Sequence, residues 1–365
     1  MSPQDSAAQP QHRPQTSAAD PGPLAGLRVL DLTRLLPGPL AARHLADWGA
    51  EVIKVDEPGA GDPARHMLRS AADHQAGRDS AFYRGVNRSK REWRVDLRSP
   101  EGREALLAEV ERADALLEGF RPGVMDRLGL GWADLQARNP RLVMASITGY
   151  GQHGAYAAKA GHDINYIALA GVLGQCGTAA GELALPNFQI ADLLGGTLAA
   201  TSGLLAALLG AARSGRGRHV DVSMTREVWR HAVIARTEGR ALRLATGREP
   251  GPGASLLNGG AACYGVYACA DGRHLAVGAL ELKFWQSFCQ VLGRPDWAAR
   301  HWARGEPPGS APARATRAEM AALLQTEPLA HWVALTGPVD CCVTPVLRLD
   351  EVPAHPWFDG DADLD

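Results

Sequence analysis

The sequence predicts an α/β fold: a large domain built on a parallel sheet, followed by a smaller α+β domain. Three observations carry this. An apolar run at 27–32, a helix at 40–48 and a second apolar run at 51–55 form a strand–helix–strand unit, which implies parallel pairing. Further short apolar runs at 115–118 and 142–147 end in glycine-rich segments, where a parallel sheet places its ligand crevice. Beyond a Gly/Arg/Pro-rich stretch, runs at 263–267 and 274–278 are joined through Asp271-Gly272, a dipeptide that favours a hairpin turn.

Taken in order, residues 1–22 are rich in Gln, Ser, Ala and Pro and read as a disordered tail. The large domain is expected at 23–238. Pro37-Gly38-Pro39 turns the chain from the first strand into its helix, and Gly49 ends that helix. The polar stretch 58–85 reads as a long surface loop. Arg88, Lys90 and Arg91 follow, as a solvated turn or as a phosphate contact, before a short strand ending at 95–97. Pro100 opens a helix to 112. A helix is expected at 167–173, and a long apolar one at 193–209, begun by Asp192 and ended by Gly215. A strand at 220–223 and a helix at 224–238 complete the domain. A linker is expected at 239–253. The small domain follows at 254–335, with helices at 281–292 and 317–335. The segment 336–365, with a strand at 343–346, is expected to return toward the large domain.

Composition narrows the function. A net charge of −2 argues against a nucleic-acid surface. The sequence has no uninterrupted run of some eighteen apolar residues, so no membrane span is expected. The start of the chain lacks the apolar stretch of a signal peptide, and the six cysteines are scattered, so a reduced cytoplasmic location is expected. The twelve histidines show no ligand spacing, so no metal is expected. The dinucleotide fingerprint GxGxxG is absent from the first turn, although Asp56 and Glu57 end the second strand where a ribose would bind.

The chemistry concentrates at Gly161-His162-Asp163-Ile164-Asn165-Tyr166, with Asp192 further along. A histidine and two carboxylates can move protons at neutral pH once burial has tuned them. The competing reading is a capped helix start, with Asp163 or Asn165 as cap and His162 as a satisfied polar group.

Several segments resemble the class III CoA-transferase (CaiB/BaiF) family, which includes the α-methylacyl-CoA racemases. They are 26–32, 50–55, 87–91, Phe120-Arg121-Pro122-Gly123 and Asn139-Pro140-Arg141-Leu142, in that order. The resemblance implies a Rossmann-like large domain, an interlocked homodimer and an acyl-CoA thioester substrate, with CoA part of the substrate and no separate cofactor. Gly-His-Asp-Ile-Asn-Tyr is similar to the racemases, in which the histidine is one base. The aspartate of Ala191-Asp192-Leu193-Leu194-Gly195-Gly196 would be the other base, and Glu281 would support the histidine. In the transferases Asp163 would be the nucleophile, and the longer 58–85 stretch is similar to theirs. The CoA pocket implied by the resemblance comprises Val95, Asp96, Leu97, Arg98, Gly119, Phe120, Arg121 and Arg127, together with Gly161, His162, Asp163, Ile164, Asn165 and Tyr166. Racemases commonly have arginine where Glu57 stands. Relatives continue beyond Phe358, so a further C-terminal segment is expected to be missing. Three functions follow: a 2-methylacyl-CoA racemase, a CoA-transferase, or an acyl-CoA-binding relative without chemistry.

Overall fold

The computed structural model describes residues 21–178, 180–247 and 251–358. The expected tail lies outside these residues, except for Pro21 and Gly22. The chain divides into two compact units. One takes the residues up to 170 and 187–231, the other 171–186 and those from 232 onward.

The first unit is organised on six parallel strands: β1 (Arg28–Asp31), β2 (Glu51–Asp56), β3 (Arg91–Arg94), β4 (Ala115–Glu118), β5 (Val143–Thr148) and β6 (His219–Ser223). Their order is β3-β2-β1-β4-β5-β6, with Leu30 in register with Ile53 on one side and Leu116 on the other. The order reverses direction between β1 and β4, the switch point at which such sheets bind ligands. β4 and β5 are buried along their whole length, as strands covered by helices on both faces must be. The covering helices include α1 (Pro37–Asp47), α2 (Ala71–Gln75), α3 (Ala81–Asn87), α4 (Pro100–Val110), α5 (Val124–Arg127), α6 (Trp132–Arg138) and α7 (Asp163–Leu169). A π-helical segment, Ala191–Leu198, then runs into α8 (Ala199–Ser214), and α9 (Met224–His231) follows. Gly215 ends α8 with a φ of 69°, which a side-chain-bearing residue adopts at a cost. Leu30, Ile53, Leu106, Leu116, Leu135 and Met144 form the core of one face.

In the second unit β7 (Tyr264–Ala268), β8 (His274–Gly278) and β9 (Val343–Pro345) form an antiparallel sheet in that order. α10 (Val233–Thr246), α11 (Leu282–Val291), α12 (Ala311–Leu324) and α13 (Leu329–Thr336) accompany it. Its core gathers Trp285, Phe288, Trp297, Met320 and Trp332 with four buried cysteines, Cys263, Cys269, Cys289 and Cys341. All six cysteines are free.

Several expectations need correction. The helix expected at 224–238 is interrupted at Ala232, and α10 carries straight through the first half of the expected linker at 239–253. The apolar positions of α10 outweighed its glycine and arginines. Residues 343–345 do not leave the small unit but pair with β8 as its third strand. The third strand of the large sheet lies at Arg91–Arg94, ahead of 95–97, and α7 begins at Asp163. The continuous helix from Ala191 to Ser214 has 24 residues and is long and apolar enough, by those measures alone, to cross a membrane. Its few polar residues hid it from a count of uninterrupted apolar positions. In the fold it packs against α1 and β5.

The largest correction concerns 58–85, which is not a free surface loop. It contains α2 and α3, each started by a serine cap: Ser70 Oγ accepts from Asp73 N and Ser80 Oγ from Tyr83 N, both at 3.0 Å. Arg65, buried, ties the segment to the sheet through Asp56 (2.7 Å) and Glu92 (3.0 Å) and braces the segment itself through Asp79 (2.6 Å), and its guanidinium lies 3.9 Å from the Tyr83 ring centre. The Lys90 side chain is also buried. Its Nζ donates to Asp31 Oδ2 (2.8 Å), Pro39 O (2.7 Å) and Asn87 Oδ1 (2.8 Å), so it is neither a solvated turn nor a phosphate ligand. Lys54, with no exposed surface, donates to Thr33 O and lies 3.3 Å from both Asp56 and Asp62. Three buried cations thus meet three buried carboxylates beneath the loop that leaves β1. Burial opposes the charge on Asp31, yet Lys90 and Lys54 hold its carboxyl below the usual range.

Candidate active site

The site begins where β1, β4 and β5 end. Their C-terminal loops, Thr33 to Gly38, Gly119 to Pro122 and Thr148 to Tyr150, surround a cavity of about 530 Å³ that His162, Asn165, Tyr166 and Asp192 complete. Each loop is shaped from below. Thr33 N donates to Asp31 Oδ1 (3.0 Å), and Leu35 N to Asp62 Oδ1 (3.1 Å). That second bond accompanies a φ of 64° at Leu35, a strained value for a residue with a branched side chain. Phe120 N donates to the buried Glu118 carboxylate at 2.7 Å. Burial pushes the Glu118 carboxyl up to about 7.

His162 is the residue before α7, in extended conformation, and its N–H donates to Asn165 Oδ1 at 3.0 Å. The helix-capping reading is therefore right about Asn165. It does not exhaust His162, which borders the cavity. Tyr166 OH donates to Gly161 O, and its ring meets Tyr150 edge-on at 5.2 Å. Burial first, then Asp192, pushes the Tyr166 hydroxyl up to about 12, so it stays a donor. Gly149 and Gly161 leave room for this ring, since a Cβ at either would lie 2.1 Å and 2.7 Å from it.

Asp192 stands in the first turn of the π-helical segment, and segments of this kind are frequent at functional sites. The following glycines explain its placement. A Cβ on Gly195 would lie 2.6 Å from Met224 O, and one on Gly196 2.6 Å from Pro37 Cβ, so only glycine lets this turn lie against α1 and α9. Burial, and after it the Asp163 carboxylate, pushes the Asp192 carboxyl up to about 6. Asp163 itself faces the start of that segment. Its Oδ1 accepts from Ala191 N (2.6 Å) and Asp192 N (3.0 Å).

The other expected residues divide. Gly119, Phe120, Arg121 and Gly161 border this cavity, whereas Val95, Asp96, Leu97 and Arg98 border an adjoining one that Phe120 and Arg34 also line. Arg127 is exposed on α5, and Ile164 is 43% exposed; like Asp163, both lie outside the two linings. Glu281 belongs to the second unit, as the residue before α11. Sequence reasoning missed Arg34, Tyr150 and Lys159, which border the main cavity. Position alone marked Arg34, because it follows the strand beside the switch point.

A histidine and a half-buried carboxyl facing one cavity from separate elements can hold a proton donor and a proton acceptor around one carbon. The comparisons point to enzymes acting on CoA thioesters, with racemases and CoA-transferases both among them. The model of CoA-transferase family III matches residues 24–363. The chain is 35% identical over 333 residues to the human alpha-methylacyl-CoA racemase, covering 91% of this chain and 80% of that protein. It is 36% identical over 298 residues to succinyl-CoA–D-citramalate CoA-transferase of Chloroflexus aurantiacus, covering 80% and 71%. The crystal structure of a CAIB/BAIF family protein from Brucella suis superimposes with a TM-score of 0.77 at 28% identity, covering 93% and 88%. On the extent of the family match and these identities together, the chain belongs to CoA-transferase family III, whose members act on CoA thioesters.

Proposed function

We propose that the protein is an α-methylacyl-CoA racemase that interconverts (2R)- and (2S)-2-methylacyl-CoA thioesters. One observation carries the reading: His162 and Asp192 border the same cavity, and burial brings the Asp192 carboxyl to a range where both of its protonation states exist near neutrality. A carbon next to a thioester carbonyl is weakly acidic. The His162 imidazole removes its proton from one face, the electron pair moves to the carbonyl oxygen, and the protonated Asp192 carboxyl returns a proton to the opposite face. The reverse reaction exchanges the two roles. The N–H groups of Asn165 and Tyr166 are spent on His162 O, so within this proposal an enolate donor at the start of α7 would have to be the main chain of Asp163 or Ile164, residues that lie outside the cavity lining. Within this proposal a supporting role for Glu281 rests on the family resemblance alone.

The competing transferase reading makes Asp163 a nucleophile. It asks a carboxylate already holding two backbone N–H groups to attack a thioester. Homodimeric assembly and a cytoplasmic location belong to the proposal as well. The free cysteines agree with a reducing compartment, and sedimentation of a monomer at micromolar concentration would remove the dimer.

Incubation with a 2-methylacyl-CoA in heavy water tests the function. Deuterium entering the α position supports the racemase. No exchange, with CoA passing to an added carboxylate, supports the transferase. Binding with neither reaction leaves an acyl-CoA-binding protein.

A further inference from the structure

Beside the main cavity, a second one of about 310 Å³ opens at the C-terminal ends of β1 and β2. Much of its wall is apolar, formed by Leu32, Val55, Val95, Leu97 and Phe120, and Asp56 and Asp96 also border it. Charge collects on one side. Glu57 Oε1 lies 3.3 Å from Arg34 Nη2, and Glu57 Oε2 lies 3.1 Å from Arg98 Nη2. A single carboxylate therefore engages two guanidiniums, one on the loop after β1 and one beyond β3. The Arg34 guanidinium also lies 5.9 Å from the Phe120 ring centre, on the wall shared with the main cavity.

An apolar slot with polar groups on one side suits a flat base and the sugar attached to it. In sheets of this order the residue at the end of the second strand decides how the sugar is read. A carboxylate there accepts from free hydroxyls, whereas a nearby arginine accommodates a sugar phosphate. Here both chemistries are present, and each occupies the other. A sugar phosphate approaching Arg34 or Arg98 meets a guanidinium already paired, and it meets the Glu57 carboxylate as a like charge.

We propose that Glu57 sets the nucleotide specificity of this cavity by holding Arg34 and Arg98 away from the 3′-phosphate. The inference rests on the acyl-CoA reading above, and it adds that the protein accepts thioesters with and without that phosphate nearly alike. Glu57 and Arg34 side chains are each 36% exposed and Arg98 79%, so substitutions here leave the core intact.

Calorimetric titration with CoA and with 3′-dephospho-CoA, on the full chain, tests this. Wild type is expected to bind the two within about threefold of one another. Glu57→Gln frees both guanidiniums and shifts the ratio toward CoA by about tenfold, the scale of one charge-assisted contact to a phosphate. Adding Arg98→Gln to that variant returns the ratio toward the wild-type value. A ratio unchanged by Glu57→Gln overturns the proposal, as does a wild-type preference for CoA of about a hundredfold, which would mean the arginines already reach the phosphate. Binding of neither compound by wild type removes the acyl-CoA reading, and this inference with it.

Discussion

Asp163 Oδ1 accepts the backbone N–H of Asp192 at 3.0 Å, so one acidic residue of the site holds the main chain of the other. The same oxygen takes Ala191 N at 2.6 Å. Asp163 thereby acts as the cap of the π-helical segment from which Asp192 meets the cavity. Its carboxylate is also the second cause, after burial, of the raised Asp192 value.

This relationship separates the two chemistries. Asp163→Asn keeps an oxygen that can accept both N–H groups but cannot serve as an acyl-carrying nucleophile. Racemisation by Asp163→Asn is expected within about tenfold of wild type, as for a neutral cap replacing an ionised one. Asp163→Ala loses the cap, and a cost of about 1 kcal/mol in urea unfolding is expected. Loss of all activity in Asp163→Asn, with the fold intact, would favour the nucleophile.

The raised Asp192 value makes a prediction about pH. The carboxyl moves from 3.8 in the unfolded chain to about 6 in the fold. A raised value means the fold favours the proton. The associated stability is complete at acid pH, falls as pH rises between about 4 and 6, and is absent above. Asp192→Asn escapes this loss. Relative to wild type it should gain about 1–2 kcal/mol between pH 4 and pH 7.5, the full shift being discounted for partial exposure. Urea midpoints at the two pH values check it; equal differences at both would place the carboxyl at its ordinary value.

The buried ion cluster should be the most sensitive point of the large unit. Lys90→Met leaves the Asp31 carboxylate buried beside Lys54 with one partner fewer. The expected cost is about 3–5 kcal/mol, the range for breaking a buried pair from one side. Lys90→Met/Asp31→Leu should recover most of it, measured by chemical denaturation. No recovery would mean that Lys90 acts mainly through Pro39 and Asn87.

Gly195→Ala would place a methyl carbon 2.6 Å from Met224 O, in the turn that follows Asp192. The backbone must shift to admit it, at about 1–3 kcal/mol. Because the shift reaches Asp192, kcat should fall by about 10²-fold, the scale of an ångström of misplacement, while CoA affinity changes little. Gly210→Ala, on α8 with open space around it, serves as the control.

The parallel sheet was legible because β4 and β5 are mostly apolar runs, broken only by Glu118, Ser146 and Thr148, and are followed by glycines. His162 and Asp192 drew notice through the family resemblance of their segments, and the fold brings both to the border of one cavity. The segment 58–85 was not legible, since its order comes from Arg65 reaching Asp56, Asp79 and Glu92, and such pairings leave no periodic trace. Lys90 read as a surface cation for the same reason: its partner Asp31 stands 59 positions earlier. α10 was hidden by Gly239 and its arginines, which locally resemble a break. The Arg34–Glu57–Arg98 arrangement joins three separate loops and became visible only once the strands were aligned.

The central claim is that two groups work from opposite faces of one carbon. An enantiopure 2-methylacyl-CoA in heavy water, followed for both α-deuterium content and configuration, tests it most directly. Wild type should incorporate deuterium and invert together. His162→Ala and Asp192→Ala should each lose inversion by about 10²–10⁴-fold, and each should retain α-exchange for one enantiomer only, the one whose proton faces the remaining base. Inversion at the wild-type rate in either variant would contradict the account.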